Sequence, residues 1–174
     1  IQAADNLKGQ DTAPDVFDLG TAVALESTDY FAPYQVQTWD DIPAENKEAT
    51  GLWVNNYTGI MSIGYDSKKF DAPKSLDDLL DAKYKGSVAL NGDPTQAGAA
   101  FAGIGMATLQ RGGELDDFQP GIDFFGELNK AGNFLTVDPT PATIASDETP
   151  VVIDWSFNNI GQQAETPDWA NAVL

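Results

Sequence analysis

Residues 73–94, PKSLDDLLDAKYKGSVALNGDP, contain the signals that decide the fold. The hydroxyl of Ser75 is suited to cap a helix, and Asp78 stands three residues later, where it completes a capping box. Gly86 is typical of a helix end. The apolar residues 87–90 that follow predict a short buried strand. The stretch therefore predicts a helix followed by a strand.

The sequence after this stretch continues the alternation. Asp93 suits a helix cap and Pro94 the first helical position, which predicts a second helix running to Gly112. Further elements are predicted as follows: a helix from Pro120 to Gly132, a strand at 134–137, a short helix from Thr140 to Ser146, a strand at 151–155, a helix at 157–164 and a strand at 169–174. Strands that alternate with helices indicate an α/β fold, with a parallel sheet covered by helices on both faces.

The first 65 residues carry weaker signals. They predict the end of a helix before Gly9, a strand at 15–19 and a helix at 21–25. Residues 30–47 read as mostly irregular because of their prolines. Residues 52–65 are rich in aromatic and β-branched side chains and predict an extended strand.

Composition excludes several classes of function. The 174 residues include no Cys and no His, which removes disulfides, thiolate metal sites and triads with a histidine base. Lys and Arg number 9 against 27 Asp and Glu, a formal net charge of −18. Such a chain repels phosphate backbones, so no nucleic-acid partner is expected. No apolar run is long enough to span a bilayer.

Enzyme signals are weak. Gly103-Ile104-Gly105 lacks a third glycine at Thr108 and lies inside a predicted helix, so it is not a dinucleotide loop. Adjacent carboxylates such as Asp77 and Asp78 do not face each other on a helix. No calcium-loop spacing is present. We therefore predict no catalytic residues, no cofactor and no metal site.

Two strand-to-helix junctions are candidate binding sites. Thr95 and Gln96 follow the strand at 87–90, and Gly20 and Thr21 follow the predicted strand at 15–19. Ligands of open parallel sheets bind beyond the carboxyl ends of the strands, where free backbone N–H groups can hold polar groups. The alternative is that these residues only cap helices.

Aromatic and acidic residues mark a further junction. Trp155 offers a ring face to an ammonium group, Asp154 a counter-charge and Asn158 a hydrogen bond. The alternative is that Trp155 is a core residue and Asn158 a cap. Trp53 and Tyr57 are likewise candidates for either a ligand cleft or the core.

The order of these motifs resembles bacterial extracellular solute-binding proteins of ABC transporters, in the group that binds ferric iron, polyamines, thiamine and phosphonates. The resemblance covers nearly the whole chain. It rests on Gly51-Leu52-Trp53, residues 57–66, residues 73–89, Asp93-Pro94 with the small residues after it, Gly112-Gly113, and Phe124-Phe125 with Leu128.

The resemblance implies a periplasmic-binding-protein-like α/β fold of type II, with one complete lobe and part of the other. Residues 1–59 would be a partial first lobe, 60–66 a hinge crossing strand, 67–168 the second α/β lobe and 169–174 the start of the return crossing. The chain then reads as a fragment. Such a first lobe is expected either to expose an unpaired edge or to exchange a strand with another chain.

The implied function is the capture of a small polar solute between two lobes, and its transfer to a membrane permease. The solute would be polyamine-like, or a phosphonate or carboxylate. Ferric iron is disfavoured because Phe157-Asn158-Asn159 stands where ferric binders carry a tyrosine pair. The implied location is periplasmic or extracellular, at the membrane through the transporter or a lipid anchor. The alternatives are a hydrolase or transferase on a similar two-lobe fold, and an acidic secreted interaction domain.

Overall fold

The computed structural model describes all residues, 1–174, and the chain divides into two compact units. The first unit is Ile1–Thr58 and the second is Gly59–Leu174. No helix in either unit combines the length and the apolar character needed to cross a membrane.

The first unit contains short helices and almost no sheet. Helix α1 is Gln2–Leu7 and α2 is Thr21–Glu26, which confirms both predicted helices, and three single-turn 3-10 helices follow. The predicted strand at 15–19 is wrong. This segment has no strand beside it to complete its hydrogen bonds, and Val16 is 85% exposed.

The second unit is built on a five-stranded sheet with the order β3-β2-β4-β1-β5. The strands are β1 Met61–Asp66, β2 Val88–Leu90, β3 Phe134–Leu135, β4 Val151–Trp155 and β5 Trp169–Ala172. Strand β2 is parallel to β3 and β4, which confirms that the three predicted strands share one sheet. The expectation of a fully parallel sheet is wrong for β1, which pairs antiparallel with both β4 and β5.

Two predicted segments are shorter than expected. The long strand at 52–65 is confirmed only over β1, because residues 52–60 find no sheet partner beyond a single bridge between Val54 and Lys47. The predicted helix at 75–86 forms as two 3-10 helices, Leu76–Leu80 and Ala82–Tyr84.

Four α-helices complete the second unit: α3 Gly98–Gln110, α4 Gln119–Ala131, α5 Pro141–Ala145 and α6 Ser156–Gln162. The predicted capping box of Ser75 with Asp78 is confirmed, as is the left-handed Gly132 that ends α4. The prediction that Asp93 caps α3 is wrong, because its carboxylate bonds the N–H and hydroxyl of Thr95 in a local turn. Helix α3 begins after that turn, with Ala97 as its N-cap.

The core lies on both faces of the sheet. On one face Ile63, Val88 and Ile153 are fully buried together with Phe124 and Leu128 of α4. On the other face Ala89, Val152 and Trp169 form a smaller cluster that Ile144 of α5 contacts. The expectation of helices on both faces is therefore confirmed. Because both faces are covered, a ligand can reach the sheet only at its edges.

Candidate functional site

A pocket of about 370 Å³ lies where β2 and β4 end. Asn91 follows β2 directly and Asp154 lies near the end of β4, and these two strands are parallel neighbours. Helix α6 supplies Asn158 and Asn159, and the start of α5 supplies Thr140. The pocket therefore occupies the carboxyl edge of the parallel strands, which is where ligands of α/β sheets bind.

Asp154 is the central charged group of this pocket. It is only 7% exposed, and its Oδ1 accepts hydrogen bonds from its neighbour's backbone, Trp155 N at 2.7 Å, and from Asn158 Nδ2 at 3.2 Å. Oδ2 accepts no hydrogen bond within the protein, and no Lys or Arg forms an ion pair with this carboxylate. Oδ2 is not among the fully buried atoms of the protein, so it is the oxygen of this carboxylate that a cation in the pocket can reach.

The rest of the lining contains no compensating positive charge. No Lys or Arg lines the pocket, and Glu165 adds a second acidic side chain. Amide and hydroxyl groups of Asn91, Asn158 and Thr140 supply neutral hydrogen-bonding partners. Electrostatics in this pocket therefore favour a positively charged ligand over an anion.

A buried polar network holds the floor of the pocket. Asn159 Nδ2 donates to Ser62 Oγ at 3.0 Å, and Ser62 Oγ donates to the backbone oxygen of Asp154 at 3.2 Å. Asn159 and Ser62 are both essentially inaccessible to solvent. A side chain at Gly64 would collide with Asn159, so the glycine permits this close approach of α6 to β1. The network ties Asp154 to the strand by which the chain enters the sheet.

Strand β1 begins and strand β5 ends at this same edge. Met61, the first residue of β1, pairs with Trp155, the last residue of β4. Ala172, the last residue of β5, pairs with Ile63 of β1. The chain therefore enters and leaves the sheet beside the pocket.

Comparison with known proteins identifies the family. Residues 13–173 match the family model described as bacterial extracellular solute-binding protein. The chain belongs to this family. No curated protein sequence matches it at a significant level.

Solved structures of solute-binding proteins share this fold. The putative spermidine/putrescine ABC transporter protein from Listeria monocytogenes is 15% identical with a TM-score of 0.62, and the match covers 87% of this chain and 50% of that one. The periplasmic binding protein AfuA from Actinobacillus pleuropneumoniae, with fructose-6-phosphate bound, is 20% identical with a TM-score of 0.60, over 81% of this chain and 46% of that one. Iron-bound HitA from Pseudomonas aeruginosa is 20% identical with a TM-score of 0.56, over 86% and 48%.

These likenesses show the periplasmic-binding-protein-like α/β fold of the family. The chain spans about half the length of the solute-binding proteins it matches, which agrees with the prediction of a fragment. The three proteins are associated with different solutes, namely polyamines, a sugar phosphate and iron. Membership of the family therefore does not specify the ligand of this chain, which depends on its own side chains.

Two of the predicted binding residues, Thr95 and Gln96, follow β2. They lie at the same edge of the sheet as the Asp154 pocket but outside its lining. Thr95 donates to Asp93 Oδ1 through its N–H and its hydroxyl, and Gln96 donates to Oδ2 at 3.4 Å. These bonds, first of all that of the Thr95 hydroxyl, hold the pKa of the Asp93 carboxyl below its usual value. The loop therefore presents an ionised carboxylate.

Trp155 lies outside the lining of the Asp154 pocket. Successive side chains of a strand alternate between faces, so Asp154 and Trp155 lie on opposite sides of β4. The Trp155 ring stacks on Phe157 with 6.1 Å between centroids, and a Cβ at Gly59 would lie 2.7 Å from it. Trp155 is half-buried against the beginning of the entering strand.

The other predicted binding residues belong to the first unit. Gly20 is the N-cap of α2 and Thr21 is its first residue. Trp53 is half-buried, and its backbone oxygen accepts from Glu48 N. Tyr57 is exposed.

Among the pocket residues that the sequence analysis did not propose are Asn91, Asn159 and Gln162. Asn91 follows β2 directly and lies level with Asp154 near the end of β4, so the strand-end rule could have found it. Asn159 and Gln162 lie one turn apart on the face of α6 that packs on the sheet, and both are buried. The sequence signal for Asn159 and Gln162 is a pair of polar residues at helical spacing, on a helix face that is normally apolar when it is buried.

Proposed function

We propose that this chain is part of the solute-binding component of an ABC importer, and that its pocket takes the ammonium end of a polyamine-like solute. The observation that supports the cation most directly is the buried Asp154 carboxylate, which has no cationic partner in the protein. A ligand ammonium would supply that partner.

The alternative solutes, phosphonates and carboxylates, fit this pocket less well. An anion would meet Asp154 and Glu165 and no Lys or Arg in the lining. An anion at the start of α6 would meet the Asp154 carboxylate, whose Oδ1 already accepts the N–H of Trp155 there. The likeness to the putative spermidine/putrescine transporter protein from Listeria agrees with this preference.

The proposed mechanism is closure of two lobes on the solute. Residues 1–59 would belong to the first lobe and 67–168 would form the second, with residues 60–66 as the hinge crossing and 169–174 as the start of the return. Strand β1 begins and β5 ends at the pocket edge, which supports this assignment, since a hinge beside the site lets a bound solute favour the closed state. Strand exchange of the first lobe with another chain stays part of the proposal.

The predicted binding residues have proposed roles in holding the solute. Asp154 would pair with the ammonium and Asn158 would hold Asp154 in place, as their hydrogen bond suggests. Other proposed contacts are Trp155, Thr95 and Gln96 on the second unit, and Gly20, Thr21, Trp53 and Tyr57 on the first. The protein would bind and release its solute without chemical change. It would work outside the cytoplasmic membrane, held there by the permease or a lipid anchor.

Isothermal titration of the full-length protein tests the ligand class. Spermidine should bind, and methylphosphonate should not. Asp154→Asn should weaken spermidine binding roughly 10- to 100-fold, since a hydrogen bond to a charged group contributes about 1.5–3 kcal/mol. Asp138→Asn is the matched control, because it removes one carboxylate at the same edge but outside this pocket.

Two results would refute the proposal. One is binding of methylphosphonate in preference to spermidine. The other is equal spermidine affinity in the wild-type protein and in Asp154→Asn, with both proteins folded by circular dichroism.

A further inference from the structure

An exposed apolar cluster lies on the outer surface of α3 and α4. Phe101, Leu115 and Ile122 are 53%, 57% and 51% exposed. The rings of Phe101 and Phe118 stack with 4.9 Å between centroids, and Ile122 follows Phe118 by one helical turn. We call Phe101, Leu115, Phe118 and Ile122 the α3–α4 patch.

The patch is a continuous surface rather than four scattered residues. A Cβ on Gly105 would lie 3.5 Å from both Leu115 Cδ2 and Phe118 Cε1, so both side chains cover the same turn of α3. Single exposed apolar residues are ordinary, but a cluster that includes two stacked aromatic rings is typical of an interaction surface.

The surroundings of the patch are strongly acidic. Residues 112–129 contain no Lys or Arg, and their acidic residues are Glu114, Asp116, Asp117, Asp123 and Glu127. The preceding Arg111 is already paired with Asp77 and Glu127. An acidic rim around an apolar centre is complementary to a basic protein surface, and it repels a second copy of this chain and an anionic bilayer.

The patch lies towards the same edge of the sheet as the pocket. A Cβ on Gly103 of α3 would meet Leu90, Ile153 and Met61, and all three belong to that edge. Phe101 precedes Gly103 in α3, so it lies at or beyond the edge. A partner that sits on the patch is thereby at the same edge of the sheet as the pocket, although on the opposite face of the sheet.

We propose that the α3–α4 patch docks onto a basic surface of the membrane permease that faces outwards. This inference rests on the proposed function for the existence of a permease, but not on the identity of the solute. Stacked Phe101 and Phe118 with Ile122 supply the apolar centre of the interface, and Glu114 and Asp116 supply its charged rim.

Binding of the full-length protein to the permease and its ATPase, reconstituted in phosphatidylcholine nanodiscs, tests the proposal. Phe101→Ser with Ile122→Ser should weaken docking by about tenfold or more, as loss of an aromatic interface residue does. Glu114→Lys with Asp116→Lys should weaken docking and reduce its dependence on salt. Spermidine affinity, measured by titration, should not change in either variant.

Matched controls separate the patch from general surface effects. Leu109→Ser replaces an equally exposed apolar residue two turns further along α3. Asp71→Lys with Glu148→Lys reverses the same charges near the opposite edge of the sheet. Both controls should dock like the wild type.

Three results would overturn the proposal: patch variants that dock as tightly as the controls, equal binding to nanodiscs without the permease, or self-association that is lost in the patch variants. A wrong assignment of the solute would give a different set of results. In that case spermidine does not bind to the wild type, while the patch variants still lose docking relative to the controls.

Discussion

Two valines show how differently the two units of this molecule use similar sequence. Val16 lies in an apolar, strand-like stretch of the first unit and is 85% exposed, whereas Val152 lies in β4 of the second unit and is 1% exposed. Both stretches have residues that favour strands. Only β4 has neighbours, β2 on one side and β1 on the other, that complete its hydrogen bonds.

The comparison teaches that strands depend on partners far away in the sequence, while helices depend on residues close by. Helix α2 forms in the first unit because its hydrogen bonds lie within the helix itself. The second unit has both kinds of structure and a core on each face of its sheet. Its stability should therefore respond strongly to changes that leave the first unit nearly unaffected.

The largest difference is expected for truncation of apolar side chains. Phe124→Ala removes a fully buried ring from the second unit and should lower the free energy of unfolding by about 3–5 kcal/mol. Leu25→Ala removes an exposed side chain from the first unit and should change it by less than about 0.5 kcal/mol. Urea unfolding followed by circular dichroism measures both. Equal losses would mean that the first unit has an apolar core of its own.

A smaller effect is expected where two glycines differ in their surroundings. Gly64→Ala would force a methyl group against Asn159 and Trp169 and should cost about 1–3 kcal/mol of unfolding free energy. Gly126→Ala adds the same methyl group to α4 in open space and should stabilise the protein by about 0.5–1 kcal/mol. Thermal melts of the two variants should shift in opposite directions. A neutral Gly64→Ala would contradict the tight packing of α6 on β1.

Helix capping should give an effect of about 1 kcal/mol. Ser75→Ala removes the side-chain half of a capping box in the second unit and should lower the unfolding free energy by that amount. Gly20→Ser adds a hydroxyl to the uncapped start of α2 and should change it by only roughly a few tenths of a kcal/mol. Urea unfolding of both variants makes the comparison. An unchanged midpoint in Ser75→Ala would show that this cap contributes nothing.

The smallest expected effect depends on pH. The backbone N–H of Lys74, then the hydroxyl of Ser75 and its N–H, donate to Asp78, and they hold the pKa of its carboxyl below the ordinary value. A lowered pKa in the folded state stabilises the protein above the unfolded pKa of about 3.9. That contribution is lost as the pH falls through the folded value. Asp78→Asn should therefore be less stable than the wild type at neutral pH, and the difference should shrink in acid. A difference that does not vary with pH would refute the assignment.

Much of the second unit could be predicted because its signals are local. The capping pairs Ser75 with Asp78 and Thr140 with Thr143 are three residues apart, and both capping boxes form. Asp93 shows where local reading fails. Its carboxylate can cap a helix or close a turn with Thr95, and only the turn forms.

The direction of β1 could not be predicted in this way. Met61 pairs with Trp155, and nothing near either residue in the sequence specifies an antiparallel partner. The same limit applies to the candidate site. Asp154 lies near the end of β4, Asn158 follows that strand, and the two side chains hydrogen-bond each other, so a sequence could suggest them together. The link from Asn159 to Ser62 joins α6 to β1 and depends on the tertiary fold.

A crystal structure of the full-length protein grown with spermidine tests the central claim most directly. The account predicts an ammonium nitrogen within hydrogen-bonding distance, about 2.7–2.9 Å, of Asp154 Oδ2 at the carboxyl edge of β4. Spermidine bound elsewhere, with Asp154 still lacking a cationic partner, would contradict it.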